Sequence, residues 1–493
     1  LHEFLVVIFF KVETSIKQHI FRAYDIRGIA DSRFTDLEID LDECTAYMTG
    51  RATAIFLLNR LNGKFLQNSK KPIFAVGRDG RLTGEILQKA FMKGLLEEGI
   101  DVIDLGVLTS PMLYFAVCNY KFDGGAVVTA SHNPREYNGI KIVEKAAHSI
   151  CGEDLQEIYR IALDLQQIAK KSTQEIGFLQ EKNVLDDYVN FLTNGIALKK
   201  KWKVAIDSGN GVSGIVMPKI LKKIGCEVLE IYCEVDGNFP NHEANPEEEE
   251  NMMDLIGLVN KERADLGFGF DGDGDRVGMI DENGKHYHAD FLLMLLARDV
   301  LARKAGAKIV FDVKVSQLVI NDIEKIGGVP VMSRTGHSFI ENKMKEEEAV
   351  LGGEVSGHLF FAENYFGFDD AALAAVRLLK FFDENGVKVS AHFADLPKMF
   401  TTPEYKLPCP DDKKFAVVES LQKTFSAKYP AALIDGVRFN VDEFSWAAVR
   451  ASNTSPNLTL RFESNQKEIL ERMKKEMAEA INSHNLSCEV FGF

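Results

Sequence analysis

Three aspartates two residues apart, Asp271, Asp273 and Asp275, alternate with glycines in FGFDGDGDRVGMID. Carboxylates packed this densely repel one another unless they share a cation, and an oxygen-only set suits a hard divalent ion, Mg²⁺ or Ca²⁺. The glycines let the loop wrap. An EF-hand is the rival, because Asp271, Asp273, Asp275 and Glu282 fall at its first, third, fifth and twelfth positions. Its sixth position must be glycine for the sharp turn, and here it is Arg276 between strand-like flanks. The EF-hand fails, and a metal loop of another kind is expected.

A second cluster is VVTASHNPREYNGIKI (127–142), where an apolar strand delivers Ser131 into a loop with His132, Asn133, Arg135, Asn138 and Lys141. A serine held there could act as a nucleophile or carry a phosphoryl group. The same letters also fit an ordinary Asx/Pro turn, and adjacency alone does not make His132 its base.

In LGGEVSGHLFF (351–361), Glu354, Ser356 and His358 lie two apart between apolar runs. Read as a strand, this places all three on one face, where carboxylate and hydroxyl would pair with vicinal sugar hydroxyls. A strand with a polar face is the plain alternative. In VRASNTSPNLTLRF (449–462), Arg450, Ser452, Asn453 and Thr454 crowd one loop. Guanidinium, hydroxyls, amide and free N–H groups together make a phosphate cradle, or else a polar turn. Serine loop, metal loop, sugar pair and phosphate cradle in one chain describe phosphoryl transfer on a sugar phosphate.

The elements that must carry these loops follow a repeated grammar. IFAVGRDGR, KVAIDSGNG and KIVFDVKVS each run as an apolar strand to an aspartate (Asp79, Asp207, Asp312), then a loop and a helical stretch. Strands alternating with helices argue for parallel or mixed sheets with helical cover. Three copies of one α/β domain would explain the grammar, although any α/β protein repeats strand, loop and helix, and periodicity leaves the question open. The last hundred residues do not alternate: FAVVESLQKTF and KEILERMKKEMAEAINSH read as helices, and GVRFNVDEF, WAAVRASN and LTLRFES as strands. A small α+β domain is expected there, behind the proline-rich boundary TTPEYKLPCPDDKK.

A chain of 493 residues favours several domains. With 46% hydrophobic and 27% charged residues, wholesale disorder is excluded. The net charge of −15 argues against nucleic acid as a partner, which needs a basic surface. The 7 cysteines are scattered with no CxxC pair, so neither zinc nor a disulfide framework is signalled, and a reduced, cytoplasmic setting fits. Phe4 to Phe10 is apolar but far short of the roughly 20 residues a membrane helix needs. No basic residue precedes it and no small-residue cleavage site follows, so no signal peptide and no membrane association are expected.

The motifs TASHNP, DGDGDR, GEVSGH and RxSNTxP, in this order, with FRAYDIRG (21–28), DGNFPNH (236–242) and RTGH (334–337), resemble the α-D-phosphohexomutase superfamily. The bacterial phosphomannomutase/phosphoglucomutase group is the most similar. The resemblance implies an α/β fold of three similar mixed-sheet domains plus a C-terminal α+β domain around a central cleft, divided at 18–180, 181–285, 286–398 and 399–493. It implies a mutase interconverting hexose 1-phosphate and hexose 6-phosphate (mannose and/or glucose) through a phosphoserine and a hexose 1,6-bisphosphate. Ser131 would be that phosphoserine, binding Mg²⁺ together with Asp271, Asp273 and Asp275. Glu354 and Ser356 would bind the sugar, and Arg450, Ser452, Asn453 and Thr454 the distal phosphate. Lys141 and His358 match proton-transfer candidates, and Arg27, Arg276, Lys314 and His337 match positions lining the cleft. Phosphoglucosamine mutase and a non-catalytic sugar-phosphate-binding relative are the alternatives, and oligomeric state is left open. Two departures stand out. Nothing before about Gln18 has a counterpart in the family, and EANPEEEE follows DGNFPNH where relatives usually carry HPDP.

Overall fold

The structure, a computed structural model, describes residues 16–61, 71–167, 175–452 and 456–486. The apolar run at 4–10 and the cradle residues Asn453 and Thr454 therefore lie outside the described residues.

Three sheets repeat one strand order. The first is built on β1 (Ile73–Arg78), β2 (Asp101–Val107), β3 (Gly124–Val128) and β4 (Tyr137–Glu144). β1 lies parallel to both β2 and β3, and β4 closes antiparallel on β3. The second uses β5 (Lys203–Asp207), β6 (Glu227–Ile231), β7 (Leu266–Phe270) and β8 (Val277–Asp281) in the same way. So does the third, with β9 (Lys308–Asp312), β10 (Val329–Ser333), β11 (Leu351–Gly353) and β12 (Leu359–Phe361). In each, the order is second, first, third, fourth strand, with the fourth reversed. Shared order and direction answer what periodicity left open: these are three copies of one mixed-sheet unit.

The sequence dictates this locally. β3 (GGAVV) and β7 (LGFGF) are buried at every position, so they read as unbroken apolar runs rather than as an alternation. Helices supply the crossovers, among them α1 (Gly84–Glu97) after β1 and α2 (Ser110–Asn119) after β2. Thr109 caps α2 by accepting from Met112 N, with Pro111 in the first turn. One apolar core runs from Ala75 in the first sheet to Phe393 beyond the third, so the three units share an interior.

The fourth sheet is antiparallel: β13 (Val437–Asn440), β14 (Trp446–Ala451) and β15 (Asn457–Ser464), with Phe400–Thr401 and Tyr405–Pro408 added on β15. Helices Asp411–Ser426 and Lys467–Asn482 pack on it around a separate core. This is the expected α+β domain.

The stretch 351–361 departs from its reading as one strand. β11 stops at Gly353 and β12 starts at Leu359, with Gly353 opposite Leu359. Residues 354–358 form the turn between them, closed by Glu354 N donating to His358 O at 2.9 Å. Gly357 sits at φ 115°, a conformation open to glycine, and its position against Arg276 would admit no Cβ. The turn makes the three units alike in where they carry the candidate residues as well as in topology. The hairpin between third and fourth strands carries Ser131 in the first, the three aspartates in the second, and Glu354, Ser356 and His358 in the third.

Candidate active site

Ser131 is the point where the first and second hairpins meet. It is buried, at φ 51°, and its Oγ donates to Asp271 Oδ2 at 2.7 Å and lies 3.2 Å from His132 Nδ1. A left-handed serine at a strand end signals a constrained, aimed side chain. Two residues absent from the sequence reading hold it there. Thr129 Oγ1 accepts from Ser131 N at 2.9 Å and donates to Asp79 Oδ2 at 2.6 Å. Arg81, also buried, donates to the carbonyls of Ser131, Asn133, Pro134 and Tyr137 at 2.9, 2.5, 2.8 and 2.9 Å. One guanidinium thus defines the whole serine loop. Asp79 was visible as a strand end; Arg81 had no motif to announce it.

Asp271, Asp273 and Asp275 are buried, and one ligand oxygen of each lies within 4.8 Å of the others. Asp271 Oδ1 shapes the loop by accepting from the backbone N–H groups of Gly274, Asp275 and Arg276 at 3.0, 3.1 and 3.0 Å. Burial and the two neighbouring carboxylates push the Asp271 carboxyl well above the usual range. Lys141 Nζ reaches Asp273 Oδ2 at 2.7 Å and Asp275 Oδ2 at 2.5 Å. Burial pushes Asp273 up as well, but Lys141 outweighs it with help from Ser110 Oγ at 2.6 Å, leaving the carboxyl below its ordinary value. For Lys141, burial works against the charged form and the two carboxylates overcome it, so its pKa is raised. Asp273 Oδ1 and Asp275 Oδ1 remain buried without a hydrogen-bond partner. Unpartnered carboxylate oxygens beside a serine hydroxyl, in an all-oxygen set, are what a hard cation requires. The residues present fit a metal ion.

His358 joins this centre from the third unit. Its Nδ1 lies 2.6 Å from Asp369 Oδ2, and Arg276 Nε donates to its Nε2 at 2.9 Å. Asp275, His358 and Asp369 also lie within 4.8 Å of one another, but both imidazole nitrogens are engaged, so this trio is a hydrogen-bonded relay and not a metal site. Burial lowers the pKa of His358, and Asp275 and Asp369 more than offset this. His132 and His337 lack such partners: burial and nearby cations hold both well below the ordinary histidine value.

The remaining predicted residues sort by partner. Glu354 is buried and its Oε1 accepts from Gly336 N at 2.5 Å, inside the RTGH segment. Ser356 is half-buried in the same turn. Arg27 is tied to Asp25 at 2.5 Å and Asn133 Oδ1 at 2.7 Å. Lys314 pairs with Glu404 at 2.7 Å, and Arg450 with Asp435 at 2.7 Å. His337 stacks edge-on against Tyr24 and stands 5.8 Å from His358, ring centre to ring centre. Ser452 lies at the end of β14, where Lys414 Nζ donates to its carbonyl at 2.7 Å. Ser131, Lys141, the aspartates, Arg276 and His358 thus form one contact network, whereas Arg450 and Ser452 belong to a separate group on the fourth sheet.

Comparison with known proteins agrees with this layout. Residues 18–169, 186–284 and 288–400 match the alpha/beta/alpha domains I, II and III of phosphoglucomutase/phosphomannomutase, and residues 404–480 match its C-terminal domain. The chain belongs to this family. A phosphomannomutase/phosphoglucomutase of Pseudomonas aeruginosa is 42% identical over 92% of this chain and 94% of its own. A phosphoglucomutase of Neisseria gonorrhoeae is 38% identical over 95% and 98%. Among solved structures, a phosphoglucomutase/phosphomannomutase family protein from Burkholderia thailandensis superposes with a TM-score of 0.83 at 34% identity, covering 95% of this chain and 98% of that one. Among the described residues, no helix is long and apolar enough to cross a membrane.

Proposed function

We propose that this enzyme interconverts hexose 1-phosphate and hexose 6-phosphate, of glucose and mannose, in the cytoplasm, through phosphorylated Ser131 and a hexose 1,6-bisphosphate. The observation that carries the reading is Ser131 Oγ at 2.7 Å from a buried trio of aspartates with a lysine lodged among them. In a family whose relatives are named for glucose and mannose phosphates, this arrangement serves phosphoryl transfer better than binding alone.

Asp271, Asp273 and Asp275, with a phosphoserine oxygen, would hold Mg²⁺, which when bound neutralises the transferring group. The other tasks fall to the chain. Glu354 and Ser356 bind sugar hydroxyls, and Arg450, Ser452, Asn453 and Thr454 take the distal phosphate, with Lys314, His337 and Arg27 lining the path. Lys141, held protonated, donates to the serine oxygen when it becomes the leaving group. Asp369 fixes Nδ1–H of His358, whose Nε2 lone pair is occupied by Arg276. When Arg276 turns to a substrate phosphate, that nitrogen is free to accept the sugar hydroxyl proton. The bisphosphate then reverses end for end and returns its other phosphate to Ser131.

Intact mass and peptide mapping test the reading. Active enzyme should carry a phosphoryl adduct of about 80 Da on Ser131. Ser131→Ala should fold and bind substrate but lose most turnover, and chelation should abolish activity that Mg²⁺ restores. Phosphate mapped elsewhere, or full activity after rigorous chelation, would sink the proposal. A preference for glucosamine phosphate over both neutral hexoses would move the assignment to phosphoglucosamine mutase.

A further inference from the structure

A cavity of 630 Å³ lies between the second and third units, walled by Lys199, Lys200, Trp202, Arg263, Asp265, Glu282 and the segment Gly386–Val389. It is remote from the cleft. Asp265 and Glu282 flank the outer ends of β7 and β8, whose inner ends hold the aspartate loop, and five residues of strand span about 15 Å.

Its carboxylates are already committed. Asp265 accepts from Lys200 Nζ and Lys203 N, both at 2.8 Å. Asp383 accepts from the backbone N–H groups of Lys199 and Lys200 at 2.7 and 3.2 Å and from Trp202 Nε1 at 3.0 Å. Glu282 holds Ser390 through Oγ at 2.6 Å and N at 3.2 Å. Its cations are not all committed: among the described residues, Arg263 and Lys388 pair with no carboxylate. Arg263 also ends helix Met253–Glu262 in the left-handed conformation, φ 52°, where glycine is the favoured residue. A long cationic side chain therefore stands at the cavity wall in a backbone position that does not favour it.

We propose that this cavity binds a small phosphate-bearing molecule, its phosphate between Arg263 and Lys388 and its body against Val387 and the edge of Trp202. A guanidinium offers a phosphate two parallel hydrogen bonds, and an ammonium supplies a second charge at short range. The lining carries four cations against three carboxylates, which favours an anionic ligand, and the volume admits a sugar phosphate or nucleotide-sized molecule.

Trp202 reports on the site directly. Both tryptophans are buried, Trp202 with its Nε1 on Asp383 at the cavity and Trp446, the other one, on the fourth sheet with its Nε1 on Glu463 at 2.8 Å, so only Trp202 is placed to sense an occupant. Titration of the full chain with pyrophosphate, and separately with AMP, should change tryptophan emission saturably. Arg263→Gly with Lys388→Gln should weaken the midpoint at least about tenfold, as loss of charge-assisted bonds requires. Arg263→Gly alone should leave thermal stability equal or higher, since it relieves the left-handed position. Arg450→Gln, aimed at the catalytic cleft, should leave the midpoint unchanged. No saturable change with either probe at millimolar concentration would overturn the proposal. So would a change that survives the cavity variants, or one that disappears with Arg450→Gln.

Discussion

At Glu354 the two carboxylate oxygens do different work. Oε1 accepts from Gly336 N, and Oε2 is the oxygen left for the proposed sugar contact. Glu354→Gln keeps an acceptor for that N–H, whereas Glu354→Ala leaves a buried donor unpaired, costing about 1–3 kcal/mol. Both variants should lose sugar binding, but thermal melts should show the alanine variant destabilised well beyond the glutamine one; equal melts would mean Gly336 N does not depend on this carboxylate. The same logic applies to the sugar. Glucose and mannose present O3 and O4 identically, while galactose inverts O4 and leaves a polar group unmatched. Coupled assays should therefore show similar efficiency on glucose and mannose 1-phosphates and a loss of about 5- to 150-fold on galactose 1-phosphate. Arg81 shapes the serine loop through its bonds to four carbonyls. Lysine keeps its charge but cannot reach four carbonyls at once, so Arg81→Lys should lower kcat about 10- to 100-fold with KM nearly unchanged. A raised KM at constant kcat would assign Arg81 to binding instead.

The hairpins explain both what the sequence disclosed and what it withheld. Each hairpin loop is a contiguous run of chemically unusual residues, so the aspartates stand out from spacing alone, while Ser131 and Glu354 stand out as candidates that the family resemblance decides. Arg81, Ser110 and Asp369 do not, because each is a single residue on a different element and its partner is 50, 163 or 11 positions away. The turn at 354–358 looks like a strand in sequence because Glu354, Ser356 and His358 alternate, and a five-residue turn preserves that spacing. Asn453 and Thr454 fall outside the described residues, so their part of the cradle rests on sequence. Close packing of two hairpins gives a direct test. A Cβ on Gly272 would stand 2.5 Å from Ser131 O, so Gly272→Ala must force the serine and aspartate loops apart. A misplacement near 1 Å costs about 100-fold in rate, and overpacking about 1–3 kcal/mol. Steady-state kinetics and thermal melts should show both losses, and unchanged kcat would mean that the loops tolerate separation.

Across the whole molecule, the units share an apolar core and many polar contacts, and one contact between the first and third units rests on a histidine. His148 Nδ1 lies 3.3 Å from Glu341 Oε1, and Ser149 Oγ donates to Glu341 Oε2 at 2.8 Å, tying the first unit to helix His337–Glu347 of the third. The Glu341 hydrogen bond raises the His148 pKa against partial burial. A histidine raised on folding contributes stability fully below its unfolded pKa of about 6.5 and loses it as pH rises through the folded value. Both groups are partly exposed, so screening limits the contribution to about 1 kcal/mol or less. Melting curves across this range should show a small decline that His148→Gln removes; an identical decline in the variant would place its origin elsewhere.

Between the third unit and the fourth sheet the connection is firmer. Arg438 donates to the carbonyls of Val313 and Val315 at 2.8 and 2.6 Å, and Arg461 to that of Lys314 at 3.0 Å, while Glu404 holds the Lys314 side chain. The fourth sheet thus grips three successive peptide groups of the segment that bears Lys314. Arg450 and Ser452 ride on the same sheet. Mechanically, the residues proposed to hold the two ends of the substrate are geared together: any rotation of the C-terminal domain would drag Lys314 with it. Under the proposed function, grip on a bisphosphate would then be lost at both places in one movement rather than one after the other.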